Sequence, residues 1–253
     1  MFEIAILSIL QGIAEFLPIS SSGHLVICQH LLGVNESGMR LDVCLHAGTL
    51  ISIFAFYAKS IVAIFKRREM WHFAIALLIS SFPAVIVYFL FSDEIKGLFE
   101  NAKMVGALLM FTGAILLGTR YIPSSDKSVS FLRALGMGFG QAIALLPGVS
   151  RSGMTLAAAR SFGVKPEKAA EFSFLMSTPL IIGAMLLEIL RSFDGAEMDA
   201  TPWSHLIAGM AIAAIVGYCS LKILVRALKG KWFWLFGPYC ILAGLAALIF
   251  IGK

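Results

Sequence analysis

Two short polar islands interrupt long apolar stretches of this sequence, and they restrict how the chain can fold. The first island is Pro18-Ile19-Ser20-Ser21-Ser22-Gly23-His24, and the second is Pro147-Gly148-Val149-Ser150-Arg151-Ser152-Gly153-Met154-Thr155. Non-helical backbone is tolerated inside a membrane only where protein covers it or where it lines a wet cavity. An arginine placed beside serines at that depth indicates a functional site. We therefore interpret the two islands as two walls of one site.

The composition predicts a polytopic membrane protein. Hydrophobic residues make up 59% of the 253 residues, charged residues make up 14%, and the mean hydropathy is +0.89. A soluble domain carries about a quarter charged residues. The net charge of +5 does not indicate a nucleic-acid partner, because the basic residues follow a membrane-topology pattern. Met1-Phe2-Glu3 lacks the basic residues that begin a cleavable signal, so no signal peptide is expected.

The four cysteines fall in apolar segments and show no CxxC spacing. We therefore expect them to be small buried hydrophobic residues rather than disulfide partners or metal ligands. They are Cys28, Cys44, Cys219 and Cys240.

Hydropathy predicts six transmembrane helices and two re-entrant helical hairpins within one all-α membrane domain over 1–253. A helix of about 20 apolar residues crosses a bilayer. Regions 1–33 and 133–163 carry an island at their middle, so each is predicted as a helix–break–helix hairpin. The predicted spans are 44–65, 73–92, 103–120, 169–190, 203–222 and 233–252.

The charged loops predict the orientation. If the six spans are correct, thirteen of the 20 Lys and Arg residues lie on one side, and acidic residues cluster at 92–100 and 194–199 on the other. The basic side should be cytoplasmic. Both termini then lie outside the cytoplasm, the first hairpin enters from the outer face, and the second enters from the inner face. The basic residues are Lys66, Arg67, Arg68, Arg120, Lys127, Arg133, Arg160, Lys165, Lys168, Lys222, Arg226, Lys229 and Lys231.

A weak internal repeat relates the two halves, about 1–122 and 130–253. A shift of about 130 residues places Ser20, Ser22 and Gly23 on Ser150, Ser152 and Gly153. Each half contains one hairpin and three spans, and an odd number of spans forces the halves into opposite orientations. The sequence therefore predicts an inverted repeat, whose site lies where the broken helices meet.

The first island and the helix before it offer acid–base and nucleophilic groups. Gln11 and Glu15 are four residues apart and project from one helix face. Pro18 ends that helix, and residues 20–22 place hydroxyl and N–H groups at the start of the next one, where an anion is favoured. His24 lies one turn further on and is expected to reach a serine hydroxyl. A carboxylate, hydroxyls and an imidazole together suit nucleophilic attack with base assistance.

The second island offers the opposite charge. Arg151 provides a planar fork of donors that matches phosphate oxygens, and Ser150, Ser152 and Thr155 flank it. Phosphoryl transfer requires positioning and neutralisation of negative charge. A structural alternative remains open for each residue, because serines also pack helices and Glu15 with Arg151 can form a purely structural ion pair.

Other polar and aromatic residues receive lesser assignments. His46 is a candidate pocket residue, and Glu171, Ser173 and Ser177 are candidates for lining the cavity from the second half. Four tryptophans at span ends are predicted as interfacial anchors, namely Trp71, Trp203, Trp232 and Trp234.

Two segments resemble the bacitracin-resistance family of undecaprenyl-diphosphate phosphatases. The stretch from Gln11 to His24 matches its first signature, with Gln as the permitted alternative to Glu at the first position. The stretch from Pro147 to Thr155 matches its second signature, Pro-Gly-x-Ser-Arg-Ser-x-x-Thr. The similarity extends over nearly the whole chain, including residues 41–49 and 171–175.

The resemblance implies a hydrolase in the bacterial inner membrane, with its site open to the periplasmic face. It would remove the terminal phosphate of undecaprenyl diphosphate, regenerating the lipid carrier for cell-wall synthesis and conferring bacitracin resistance. Ser21 would be the nucleophile, His24 its proton partner, Glu15 a second acid–base group or a ligand for Mg²⁺ or Ca²⁺, and Arg151 the group that stabilises the phosphoryl. The remaining substrate contacts would be Gln11, Ser20, Ser22, Ser150, Ser152 and Thr155.

Two rival functions are considered. Inverted repeats with a charge at the membrane midplane are typical of transporters, so a polyprenyl-phosphate flippase is the main alternative. An intramembrane serine protease is less well supported because it gives Arg151 no role. The sequence leaves open which serine attacks, the polyprenyl length and the oligomeric state, with a homodimer as one state to test.

Overall fold

The computed structural model describes residues 1–32, 39–66, 71–99, 101–193 and 201–250. Within these ranges the chain forms eleven α-helices and no β-strand, so the prediction of an all-α polytopic membrane protein is confirmed. The helices are α1 Phe2–Ala14, α2 Ser21–Leu32, α3 Met39–Phe56, α4 Ala58–Lys66, α5 Trp71–Phe99, α6 Ala102–Gly118, α7 Phe131–Ile143, α8 Arg151–Ser161, α9 Pro166–Phe193, α10 Trp203–Lys229 and α11 Phe236–Phe250.

Five helical segments in the described part are long and apolar enough to cross a membrane, and they match the last five predicted spans. The first predicted span, 44–65, is bent, because α3 and α4 meet at 70° between Phe56 and Ala58, and it is a sixth span if this bent pair crosses the membrane as one. The residue at the bend is Tyr57, whose ring is buried and lies near Phe56 and Phe174. Hydropathy does not detect this bend, since apolar residues continue on both sides of it.

Helix α1 runs alongside α10 in the same direction. Ile4 and Ser8 face Gly209, and one to two turns later Gly12 lies against the backbone of Ala213. A Cβ on Gly12 would lie only 2.9 Å from the Ala213 carbonyl oxygen. Small residues therefore permit this close approach, as is usual for helix pairs in membranes.

Helix α7 runs alongside α5, again in the same direction. The His72 and Phe131 rings meet near the start of both helices, 6.1 Å apart. Further along, Gly138 lies so close to Ser80 that a Cβ would be 2.3 Å from the Ser80 carbonyl oxygen. The α1–α10 and α7–α5 pairs are thus alike, because both are parallel and both are packed through a glycine that lies against the partner's backbone.

Helices α6 and α11 run antiparallel along a seam of paired glycines. Gly106 faces Gly244 and Gly113 faces Gly237, each lying against the backbone oxygen of the other. The start of α9 lies beside the start of α5, where the Phe172 and Phe73 rings meet, and beside the end of α10, where Glu167 pairs with Lys229, so α5 and α10 also point in opposite directions. The hairpin beginning with α1 and the hairpin beginning with α7 therefore enter the molecule from opposite ends.

Three of the predicted basic loops meet at one end of the molecule. Arg120 lies 4.6 Å from the Trp234 ring, Lys127 pairs with the backbone at Val164, and Lys229 forms an ion pair with Glu167. At the other end of α10, Arg40 lies over Trp203 at 5.2 Å. Arg67, Arg68 and the acidic segment 194–199 lie outside the described residues.

The four cysteines are free thiols, and no disulfide joins them. The prediction that all are buried is wrong for Cys219, which is exposed, and holds only in part for Cys28 and Cys44, which are half-buried. Cys240 is buried. An exposed apolar side chain costs nothing where a membrane protein faces lipid, and for that reason apolar sequence did not imply burial in protein.

Candidate active site

The first break covers residues 15–20, between α1 and α2. Pro18 lies within it, and Ser20 adopts the left-handed conformation with φ 69°. The Ser20 hydroxyl then caps α2 by accepting a hydrogen bond from the Gly23 N–H at 3.2 Å. A serine that caps the first turn of a helix satisfies a backbone donor that would otherwise be unpaired.

The second break covers residues 144–150, between α7 and α8, and ends in the same cap. The Ser150 hydroxyl accepts a hydrogen bond from the Gly153 N–H at 3.1 Å. Gly148 has φ +88° and touches the backbone of α6, where a Cβ would lie 2.3 Å from the Val105 carbonyl oxygen. Only glycine fits this position, because it accepts positive φ and lacks a side chain.

Each break is held by the last helix of one half. The Thr112 hydroxyl on α6 donates to the Gly148 carbonyl at 3.2 Å and accepts from the Ser150 N–H at 3.1 Å. The Cys240 thiol on α11 contacts the Pro18 carbonyl at 3.4 Å. The two halves thus support their broken helices in matching ways, as the inverted repeat requires, and the repeat itself stays a prediction.

The two islands pack against each other. A Cβ on Gly23 would lie 3.1 Å from the Gly148 Cα, and Gly153 approaches the Pro18 ring. The Ser152 hydroxyl donates to the Leu17 carbonyl at 3.1 Å, joining the two breaks directly. The two islands therefore lie side by side in the fold, and their joint role as one site stays a prediction.

A buried carboxylate lies at the centre of this contact. Glu15 is 6% exposed, and its Oε2 accepts from Gln11 Nε2 at 3.1 Å and from the Ser21 hydroxyl at 2.9 Å. Its Oε1 forms an ion pair with Nη2 of Arg151, which lies 136 residues later in the chain. Four of the predicted site residues are thus joined through one carboxyl group.

Two buried atoms beside this carboxylate have no partner within the described protein. They are Nη1 of Arg151, a donor, and Oε1 of Gln11, an acceptor. Buried polar groups are normally hydrogen-bonded, so unsatisfied ones point to a ligand or to water. The arrangement can therefore offer one free guanidinium donor to an anion and one free amide oxygen to a cation or a proton donor.

The expectation for His24 requires a correction. Its Nδ1 lies 2.9 Å from the Ser20 carbonyl oxygen rather than near a serine hydroxyl, and its Nε2 lies 2.8 Å from the Tyr239 hydroxyl. The Ser21 hydroxyl instead donates to Glu15. Helix geometry explains the difference, since a ring one turn into α2 folds back onto the carbonyl of the residue before the helix.

The remaining predicted contacts are used within the fold. The Ser20 and Ser22 hydroxyls lie 3.4 Å apart, and those of Ser150 and Ser152 lie 3.2 Å apart. Thr155 bonds to the Arg151 carbonyl at 2.8 Å. Their roles as phosphate contacts stay predictions, since the structure assigns several of these hydroxyls to caps and to the joint between the breaks.

The lesser candidates lie on the helices around the islands. His46 Nδ1 on α3 donates to the Asp42 carbonyl oxygen, 2.8 Å away. The Ser173 hydroxyl contacts Thr155 at 2.6 Å, which connects α9 to α8. Glu171 forms an ion pair with Lys168, and the Ser177 hydroxyl donates to a carbonyl of its own helix. The bonds of both side chains are therefore made within α9 and not with the Glu15 carboxylate.

Three residues of this region escaped sequence reasoning. Thr112 and Tyr239 lie in uniform apolar spans, where nothing local distinguishes a functional hydroxyl from a packing one. Gln141 is buried, with neither amide atom bonded to described protein. The repeat held a signal for it, because a shift of 130 residues places Gln141 on Gln11.

The chain is similar to known proteins over nearly its whole length. The family described as Bacitracin resistance protein BacA matches residues 4–246. The chain is 36% identical to an Undecaprenyl-diphosphatase of Halothermothrix orenii, covering 100% of this chain and 98% of that protein. It is 38% identical to an Undecaprenyl-diphosphatase of Christiangramia forsetii, covering 99% and 98%. It is 35% identical to Undecaprenyl-diphosphatase 4 of Bacillus cereus, covering 98% and 95%.

The helices and the charged residues between two broken helices define a class of polytopic membrane proteins with a candidate functional site inside the bilayer. Within that class, the chain belongs to the bacitracin-resistance protein BacA family. The names of the relatives give no support to the flippase alternative.

Proposed function

We propose that this protein is an integral membrane phosphatase that hydrolyses undecaprenyl diphosphate to undecaprenyl phosphate and inorganic phosphate. This reaction would recycle the lipid carrier of cell-wall synthesis and so confer resistance to bacitracin. Its family and the names of its relatives support the reaction and the substrate.

One observation carries the proposal. Glu15 from the first half is bonded to Ser21 and to Arg151 of the second half, so that a nucleophile, a base and an anion-binding group share one buried point. The unpartnered Nη1 of Arg151 is the group that would donate a hydrogen bond to a phosphate oxygen. A purely structural ion pair would not require a buried donor to be left free.

We propose that Ser21 attacks and that Glu15 receives its proton. The Ser21 Oγ–P bond forms as the bridging P–O bond breaks, and undecaprenyl phosphate leaves as the anion. Water then attacks the phosphoserine, the Oγ–P bond breaks, the proton on Glu15 returns to Ser21, and His24 takes the proton of the water. The hydrogen bond between Ser21 and Glu15 supports this assignment, which exchanges the proton roles expected for Glu15 and His24.

We propose a divalent cation as the cofactor, with Mg²⁺ or Ca²⁺ held by Glu15. The donor set fits such an ion: Glu15 offers a carboxylate, Gln11 offers an unpartnered amide oxygen, and both are oxygen ligands. The described residues contain no group of three or more His, Cys, Asp or Glu able to hold a metal. Bound through so few protein ligands, the ion would complete its shell with water and substrate phosphate and would neutralise developing negative charge.

We propose that the protein lies in the bacterial inner membrane with the site reached from the periplasmic face. The common end of the basic loops supports a cytoplasmic position for that end. The start of α1, which leads to Glu15, lies at the opposite end.

A homodimer is proposed as the oligomeric state to be tested by light scattering of the detergent-solubilised protein.

Phosphate release from undecaprenyl diphosphate by the purified protein in detergent tests the function directly. An enzyme releases phosphate without two compartments, whereas a protein that only moves lipid does not. Adding Mg²⁺ or Ca²⁺ after chelation should restore release and should also raise the melting temperature of the wild type. The melting temperature of Glu15→Gln should respond less, and an equal response of both proteins would exclude Glu15 as the cation ligand.

A further inference from the structure

Tyr239 on α11 is bonded to a residue of the first island, 215 positions earlier in the chain. Its hydroxyl lies 2.8 Å from Nε2 of His24, and the two rings are nearly parallel, with an interplanar angle of 7°. No local sequence pattern predicts this contact. The proposed phosphatase chemistry, on which the present inference rests, uses His24 without explaining what holds its ring.

The direction of the Tyr239 hydrogen bond follows from the other side of the ring. His24 Nδ1 lies 2.9 Å from the Ser20 carbonyl oxygen, which can only accept, so Nδ1 carries a hydrogen. In the neutral ring Nε2 then has a lone pair, and Tyr239 must be the donor to it. The contact fixes both the tautomer and the ring orientation.

The same contact controls how a proton reaches His24. The ring is buried, with 8% exposure, and its single open nitrogen faces the Tyr239 hydroxyl. A proton from water can therefore arrive if Tyr239 passes its own hydroxyl hydrogen to Nε2 and takes the proton of the water on its oxygen. Tyr239 ends this step unchanged, and His24 gains one proton.

The position of α11 makes the contact a fixed one. The residue next to Tyr239, Cys240, contacts the Pro18 carbonyl of the same break, and α11 is packed on α6 through paired glycines. The helix that presents Tyr239 is thus anchored on both sides. We propose that Tyr239 is a positioning residue that holds His24 as the Nδ1-protonated imidazole and relays protons to its Nε2.

The variant Tyr239→Phe tests this inference, because it keeps the ring and removes only the hydroxyl. We expect kcat for phosphate release to fall about tenfold with KM changed less than twofold, since the substrate contacts remain. In the double variant with His24→Gln, Tyr239→Phe should cause no further loss, because Tyr239 acts through His24. Tyr218→Phe is the matched control, as Tyr218 lies in the aromatic cluster with Phe56, away from the islands, and should keep wild-type turnover.

Nitrogen NMR of the histidine-labelled protein measures the tautomer without any turnover. The His24 signals, assigned by their absence in His24→Gln, should be those of the Nδ1-protonated ring in the wild type and should change in Tyr239→Phe. Unchanged His24 signals together with wild-type kcat in Tyr239→Phe would overturn the inference. If the wild type released no phosphate, the proposed function would fail, and the NMR result would still decide whether Tyr239 fixes the His24 ring.

Discussion

Arg151 is the residue on which the chemistry of the two halves converges. One of its terminal nitrogens pairs with Glu15, while the other is buried and free. A guanidinium is a rigid planar fork, so one nitrogen can hold the carboxylate while the second holds a phosphate oxygen. A lysine ammonium is a point charge and cannot serve both partners in this geometry.

We therefore expect Arg151→Lys to lower phosphate release by roughly 10²–10³-fold, the range found when a preorganised oxyanion donor is removed. Arg151→Ala should abolish release and also reduce stability, because it leaves the Glu15 charge unpaired. Initial rates in detergent and a melting curve for each variant are the measurements. Arg133→Lys is the control, since the Arg133 guanidinium donates to the carbonyl of the exposed Ser128. Full activity of Arg151→Lys would show that charge alone suffices.

Ser20, Ser21 and Ser22 are neighbours in sequence, but the fold gives them different tasks. Ser20 caps α2, whereas Ser21 donates to Glu15. We expect Ser21→Ala to lose at least about 100-fold in phosphate release while melting normally, as expected for a nucleophile. Ser20→Ala should lower stability by about 1 kcal/mol through loss of the cap.

Ser22→Ala is the third member of this series, since Ser22 is half-exposed and its hydroxyl approaches that of Ser20 at 3.4 Å. It should keep the wild-type stability and lose less activity than Ser21→Ala, because Ser22 is predicted to contact phosphate and not to attack it. Near-normal turnover in Ser21→Ala would instead favour direct attack by water.

The α6–α11 pair is the seam between the two halves. Gly113 and Gly237 are in contact along their backbones, and a Cβ on Gly113 would lie 2.6 Å from the Gly237 carbonyl oxygen. Close backbone approach at small residues is a main source of helix association in lipid. Through Thr112 and Cys240, the same pair supports both broken helices.

The variant Gly113→Ala should therefore lower the melting temperature and phosphate release together. A methyl group has no room at Gly113, and the seam must separate by tenths of an ångström, which costs about 1–3 kcal/mol. Gly118→Ala, on the same helix, is the matched control, because a Cβ there meets nothing within 4 Å. It should melt at or slightly above the wild-type temperature, since alanine favours helix more than glycine does.

The positions of the helices could be predicted from the sequence more fully than the contacts between residues that are distant along the chain. Long apolar stretches predicted the last five spans. Clusters of Pro, Gly and Ser predicted both breaks. Both signals lie within the segment that they describe. The bend at Tyr57 leaves no trace in the local hydropathy, and the buried ring there lies near Phe174, more than 100 residues away. The same holds for His24, whose partner Tyr239 comes from the last helix. The pairing of Glu15 with Arg151 could be predicted, because a charge inside a membrane is costly and usually pairs with a charge of opposite sign.

Several basic loops gather at one end of the whole molecule. Arg120, Lys127 and Lys229 contact other segments there, and Arg40 with Trp203 marks the other end. By the topology rule we propose that the first of these ends is cytoplasmic. The acidic residues of α5 near Asp93 would then face outward.

A labelling experiment on intact cells checks this orientation. In a variant without native cysteines, Glu94→Cys should react with an impermeant maleimide from outside, because residue 94 is exposed at the outer end of α5. Ser124→Cys, exposed in the loop after α6, should react only after the membrane is opened. Labelling of both positions in intact cells would contradict the proposed topology.

The ion pair between Glu15 and Arg151 has a consequence for how the protein comes into being. The guanidinium is made 136 residues after the acid, so a growing chain holds the carboxylate before its partner exists. A chain that stops between the two carries half of a reaction centre, and we expect it to be inert toward the lipid carrier.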